Sequence, residues 1–144
     1  MEKKNRLDNF ISMKNLMTII FIILLFSNCD PVSQMEADID NLTTQHLSIV
    51  FVSSDKSLNK TLLITPGQAV LFQEGFNIGS TYLEPSLIEY DSVYIKNRSE
   101  KILKVYKQNS DGKNIYNITD FWQSSEPSKR FFKYNFEITN VDIE

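Results

Sequence analysis

The chain holds one thiol, Cys29, and one imidazole, His46. A lone cysteine excludes an internal disulfide, and a lone histidine beside it excludes a clustered Cys/His zinc site. A general base needs a group to orient it and a nucleophile within reach. No Gly-x-Ser-x-Gly elbow accompanies His46, so the position reads better as a surface histidine at the end of a strand. Glu84, Glu89 and Asp91 lie close together, and two carboxylates about 5 to 9 Å apart would suit glycoside hydrolysis. Around Pro85 the competing reading is a solvated acidic loop. Nothing in the sequence points to a metal or a cofactor.

Aromatic side chains offer a different chemistry. Tyr82, Tyr90, Tyr94, Tyr106, Tyr116, Phe121, Trp122, Phe131 and Tyr134 are many for this length. Most must fill the core, but an exposed ring can stack on a sugar face or anchor a protein interface. Trp122 and Phe131 are the candidates for such a ligand platform, Phe131 because it falls on the otherwise polar face of its strand.

The elements that would position these groups follow from periodicity. From His46 onward the pattern alternates: Leu47, Ile49 and Phe51 against Ser48, Val50 and Val52. Thr61–Thr65 and Gln68–Glu74 are short apolar runs split by the turn pair Pro66-Gly67. Ser92–Lys96 and Lys101–Lys107 read as a hairpin closed by Asn97-Arg98-Ser99-Glu100. In the last strand Phe132, Tyr134, Phe136 and Ile138 face one way, with Phe131, Lys133, Asn135 and Glu137 on the other. Between them Asn117 and Asp120 can cap one short helix. Six or seven short strands with one small helix predict an antiparallel β-sandwich over residues 46–144.

The N-terminal part differs. Leu16–Phe26 is an apolar run of 11 residues preceded by Lys14 and followed by Ser27 and Asn28. A membrane-spanning helix needs about 20 apolar residues; this run has the length and flanks of a signal-peptide core. Residues 1–28 thus read as a signal peptide. Met1–Ser12 is polar for a leader, and Met13-Lys14-Asn15 begins a compact one. Residues 29–45 read as a tether: Asp30, Glu36, Asp38 and Asp40 carry its charge with no lysine or arginine. As flexible chain it would span about 20 Å. A short helix competes, with Ser33 and Glu36 at capping-box spacing and Met35, Ile39 and Leu42 on one face.

Leu25-Phe26-Ser27-Asn28-Cys29 resembles the lipobox of bacterial lipoproteins, and loose boxes ending in Asn-Cys are similar to those of Bacteroidota. The resemblance implies that Cys29 receives a diacylglycerol and becomes the mature N-terminus. Asp91-Ser92-Val93-Tyr94-Ile95, Lys113-Asn114-Ile115-Tyr116-Asn117, Trp122 and Tyr134-Asn135-Phe136-Glu137-Ile138-Thr139 also resemble the layout of small Bacteroidota lipoproteins, which implies a compartment and a fold without catalytic residues. Asp91-Ser92-Val93 further resembles the O-glycosylation acceptor of that phylum, with Ser92 as the acceptor. The Asn-x-Ser/Thr triplets at Asn41, Asn59, Asn97 and Asn117 would matter in a eukaryotic secretory pathway, not with a lipobox present.

Charge narrows the partners. The chain carries 15 basic and 18 acidic residues; without residues 1–28, which hold four basic and two acidic ones, eleven and sixteen remain, a net charge of −5. That disfavours nucleic acid, whose binding relies on a basic surface. The expected location is the cell envelope, as an outer-membrane lipid-anchored protein facing the periplasm or the surface. Three functions compete: a non-catalytic binding or structural domain with an envelope-protein partner, a carbohydrate-binding accessory module, and a small envelope hydrolase. Translation is expected to start at Met13; N-terminal sequencing of the unprocessed precursor checks this, and a sequence beginning at Met1 would refute it.

Overall fold

A computed structural model describes residues 30–144; the expected signal segment and Cys29 lie outside the described residues. Residues Val32–Glu144 form an all-β sandwich of two four-stranded sheets. Sheet A has the order β4-β1-β8-β7, with β1 Val32–Asn41, β4 Ala69–Ile78, β7 Gln123–Ser128 and β8 Phe131–Ile138. Sheet B has the order β3-β2-β5-β6, with β2 Leu47–Val52, β3 Lys60–Ile64, β5 Ser92–Asn97 and β6 Ile102–Tyr106. A 3-10 turn (Lys56–Leu58) and two single-turn helices, α1 Ile118–Phe121 and α2 Asn140–Ile143, complete the chain.

The hairpin β5–β6, the final strand β8 and the Asn117-capped helix α1 lie where the sequence predicts them. Two expectations are corrected. Residues 32–41 are neither a solvated tether nor a helix: they form β1, an interior strand of sheet A, so the folded domain begins at Val32 and not at His46. Ser33, Met35, Ala37, Ile39 and Asn41 point into the protein while Gln34, Glu36, Asp38 and Asp40 point out. The acidic residues thus occupy the wet face of a half-buried strand, which their charge permits as readily as it permits a tether. Nor is the sandwich wholly antiparallel: β1 runs parallel to β8, Gln34 opposite Phe131 and Asn41 opposite Ile138. The strand count is eight.

Aromatic rings join the two sheets. Phe51 of β2 stacks on Phe72 of β4 at 4.9 Å; Phe72 meets Trp122 at 6.1 Å, Trp122 meets Phe136 of β8 at 5.4 Å, and Phe136 meets Tyr106 of β6 edge-on at 6.0 Å. Each such pair adds about 0.5 to 1.5 kcal/mol beyond the burial itself. The sheet edges are blunted in different ways. Lys60 of β3 reaches across to the Phe72 carbonyl of edge strand β4, its ammonium 5.1 Å from the Phe72 ring centroid. Edge strand β7 is exposed throughout and carries Pro127 at a register shift, a proline being tolerated at an edge or bulge.

Asp40 sits directly opposite Glu137 on the wet face of sheet A. Burial, then Asp38, then Glu137 raise its pKa above the ordinary 3.8. An acid with a raised folded pKa binds its proton more readily when folded, so it penalises folding above that pKa, and the penalty vanishes as pH falls below the unfolded value. Asp40→Asn is therefore expected to stabilise the domain by about 0.2 to 1 kcal/mol at neutral pH. Urea unfolding at pH 7 and near pH 3 measures this; a gain that persists at the lower pH would contradict it.

Candidate functional site

Asn41, the last residue of β1, is fully buried, and its side chain turns the corner between the sheets. Its amide nitrogen donates to the Gln45 carbonyl at 2.8 Å and to the Ile64 carbonyl at 3.2 Å. Its amide oxygen accepts from the Thr43 backbone at 3.0 Å and the Thr43 hydroxyl at 2.7 Å. Its own backbone exchanges bonds with the Pro66-Gly67 turn: Gly67 N–H donates to Asn41 O at 2.8 Å, and Asn41 N–H donates to Gln68 O at 2.9 Å. Gly67 has φ +71°, the positive value that the second central residue of such a turn requires. One side chain thus ties together the end of β1, the approach to β2 and the end of β3.

The corner frames a groove of about 370 Å³ across the ends of β2, β3 and β5. Leu47, Leu63 and Ile64 give it an apolar lining. Polar groups surround them: His46 and Ser48, Thr65, and Asn97, Arg98 and Glu100 from the β5–β6 loop. That loop is rigid. Asn97 Oδ1 accepts from the Ser99 and Lys101 amides at 3.0 and 3.1 Å, and Lys96 holds Glu100 at 3.0 Å. Arg98 makes no salt bridge among the described residues and points a charge-assisted donor set at the groove's margin. Leu63 is 77% exposed, and Leu42 and Val141 are exposed at the same end. The α2 helix that carries Val141 is joined to this corner by the bond from the Thr44 amide to Asn140 Oδ1.

The sequence-predicted residues fare unevenly. His46 lies on the groove, exposed, without a carboxylate or hydroxyl bonded to it. Glu84, Glu89 and Asp91 are exposed and act on different tyrosines: Glu84 on Tyr134, Glu89 on Tyr90, Asp91 on Tyr116. Burial and then Asp91 push the Tyr116 hydroxyl up to about 12. Trp122 is corrected as a ligand platform: it is 5% exposed, and its indole N–H donates to the Ile115 carbonyl at 2.8 Å, so it is a core residue. Phe131 is half-buried on the outer face of sheet A, the Lys133 ammonium 5.9 Å from its ring centroid. Ser92 is buried in β5 opposite Val52, which withdraws it as an acceptor in the folded protein. The Asn-x-Ser/Thr triplets are turn and cap chemistry: Asn41 and Asn97 accept from the amide two residues on, Asn117 caps α1, and Asn59 accepts from Ser53 N–H.

The groove residues other than His46 escape sequence reasoning because the ends of three separate strands and the residues next to them supply them. Arg98-Ser99-Glu100 between two strands is the one local signal. Asn41→Leu should cost about 2 to 4 kcal/mol, since the buried Ile64 carbonyl and the part-buried Gln45 carbonyl lose this donor and Thr43 its acceptor; Thr43→Val should cost about 1 kcal/mol. Urea midpoints measure both, and an Asn41→Leu loss no greater than that of Thr43→Val would refute the hub. Comparison of this chain with family models, with curated proteins and with solved structures gives no match.

Proposed function

We propose that this protein is a lipid-anchored component of a bacterial cell envelope, held through Cys29, whose β-sandwich is a non-catalytic domain that binds another envelope protein in the groove beside His46. The observation that carries this reading is the placement of the groove along β1. The strand starts at Val32, three positions after Cys29, and ends at Asn41, whose side chain builds the groove corner. At about 3.3 Å per residue, its ten residues set the groove roughly 30 Å from the anchored end, clear of a membrane that holds Cys29. An apolar floor with a polar, partly charged rim is the anatomy of a protein interface. Exposed aliphatic residues gathered at one end, here Leu42, Leu63 and Val141, mark interaction surfaces more often than catalytic ones. The carbohydrate-module reading loses Trp122, its stronger ring.

Two measurements test the proposal. Metabolic labelling with a fatty-acid analogue should mark the wild type and not Cys29→Ser; label retained in the variant would overturn the anchor. A photo-crosslinker at Thr65 in intact cells should capture a discrete partner, and Leu63→Asp should weaken that capture about tenfold, as expected for one central apolar contact. Capture unaffected by Leu63→Asp would overturn the groove.

A further inference from the structure

We infer that the end of the domain beside Cys29 is a membrane-contact surface, which lays Val32, Phe76, Ile78 and Phe131 against the lipid and points the groove away from it. The inference rests on the lipid anchor proposed above.

The outer face of sheet A changes character along β1, and the strand register gives the order. Val32 pairs with Ile78, and Gln34 pairs with Phe76 on one side and Phe131 on the other. The next outward row is Glu74, Glu36 and Lys133, in which Lys133 and Glu36 lie 3.3 Å apart. Beyond it come Asp38 with Asn135, then Asp40 with Glu137. The large exposed apolar side chains thus crowd around Gln34 at one end of this face, while its acidic residues lie toward the other, with Leu71 and Ala69 beside them on edge strand β4. Phe76 is 74% exposed and Ile78 66% exposed, both on edge strand β4. A long edge strand with bare apolar side chains templates unwanted pairing unless something covers it.

Chain connectivity says what covers it. Three residues fully extended reach at most about 11 Å, so an acylated Cys29 holds Val32 and its row within that distance of the lipid surface. Charge agrees. Arg130 O accepts from Gln34 N–H at 2.8 Å, which places the Lys129-Arg130 turn at this end, where two cations suit anionic headgroups. The one carboxylate bound in that turn, Glu126, accepts from the Arg130 amide. The acidic rows of the sheet lie toward the opposite end, where an anionic membrane repels them least, and Asp30, exposed next to the anchor, is the carboxylate that Lys129 and Arg130 must offset. Tyr82 adds an amphipathic ring of the kind enriched at lipid–water boundaries: 60% exposed, packed on Phe132 at 4.9 Å, its hydroxyl bonded to that of Tyr134.

The test uses the full chain, isolated with its lipid and inserted into the outer leaflet of preformed phosphatidylethanolamine–phosphatidylglycerol vesicles. Acylation consumes the only native thiol, so Ile78→Cys and Val141→Cys each present one reactive group, one at either end of the sandwich, and both native residues are exposed. With a membrane-impermeant maleimide, Ile78→Cys is expected to label at least about fivefold more slowly than Val141→Cys on the vesicles, as for a side chain seated in the headgroup region. Lys129→Glu combined with Arg130→Glu should bring the two rates closer together. If the protein floats with the vesicles and both thiols label alike, fast or slow, the contact surface is wrong and the anchor stands. If the wild type carries no lipid and stays out of the floating fraction, the anchor falls and this inference falls with it.

Discussion

The Asn41 side chain is the constraint on which the rest of the domain turns. It sits where β1 must leave sheet A so that β2 can begin in sheet B, and without its amide the buried Ile64 carbonyl would be stranded and the Gln45 carbonyl left to the Thr43 hydroxyl. One amide satisfies both and fixes Thr43 as well. Because the same residue receives the Pro66-Gly67 turn, the ends of β1 and β3 are held to one geometry. The groove beside His46 is the outer surface of that geometry. A second asparagine works similarly at another corner: buried Asn114 donates to the carbonyls of Lys107 and Ser110 and accepts from the Tyr116 amide.

Above these corners the sandwich is divided by polarity rather than by chemistry. Its interior is aromatic and aliphatic, with polar groups tied back to the backbone as in Trp122 to Ile115 and Tyr134 to Leu83, the buried Tyr106 hydroxyl being the exception among the described residues. At the C-terminal end Lys113 and Thr139 converge on Asp142, Lys113 at 2.8 Å, and together they outweigh the burial that would otherwise raise its pKa. Two groups of exposed apolar side chains stand out, Leu42, Leu63 and Val141 at one end and Val32, Phe76 and Ile78 at the other, with Leu71 and Ile88 between or apart from them. That arrangement suits an object with a fixed orientation.

Much of this architecture is legible in the sequence. The alternation in β8 and the β5–β6 hairpin announce themselves because large apolar residues occupy nearly every inward position. β1 hides for the opposite reason: its inward residues are Ser33, Met35, Ala37, Ile39 and Asn41, of which only Met35 and Ile39 are large and apolar. With Leu42 those two also match helical spacing, and the acidic residues between them suit a solvated tether equally well. Only pairing to β4 and β8, which no local pattern encodes, decides among the three. Site legibility follows the same rule. His46 and the β5–β6 loop are visible as individual features, whereas Phe76 follows a run, Ala69 to Phe72, that is apolar on both faces, and a bulge opposite Ala37 and Asp38 then shifts the phase of its strand.

The parallel pairing of β1 with β8 bears on when the protein can fold. Gln34 and Phe131 are neighbours in space but 97 positions apart in the sequence, so an interior strand of sheet A stays incomplete until almost the whole chain is present. Contacts of such wide sequence separation carry the largest loop-closure cost before any reward and make for slow folding. A partly synthesised chain can pair β1 with β4 but leaves the other side of β1 open until β8 arrives. On the envelope location proposed above, that delay would keep the chain threadable through a membrane channel, with the fold completed once the last strand had crossed.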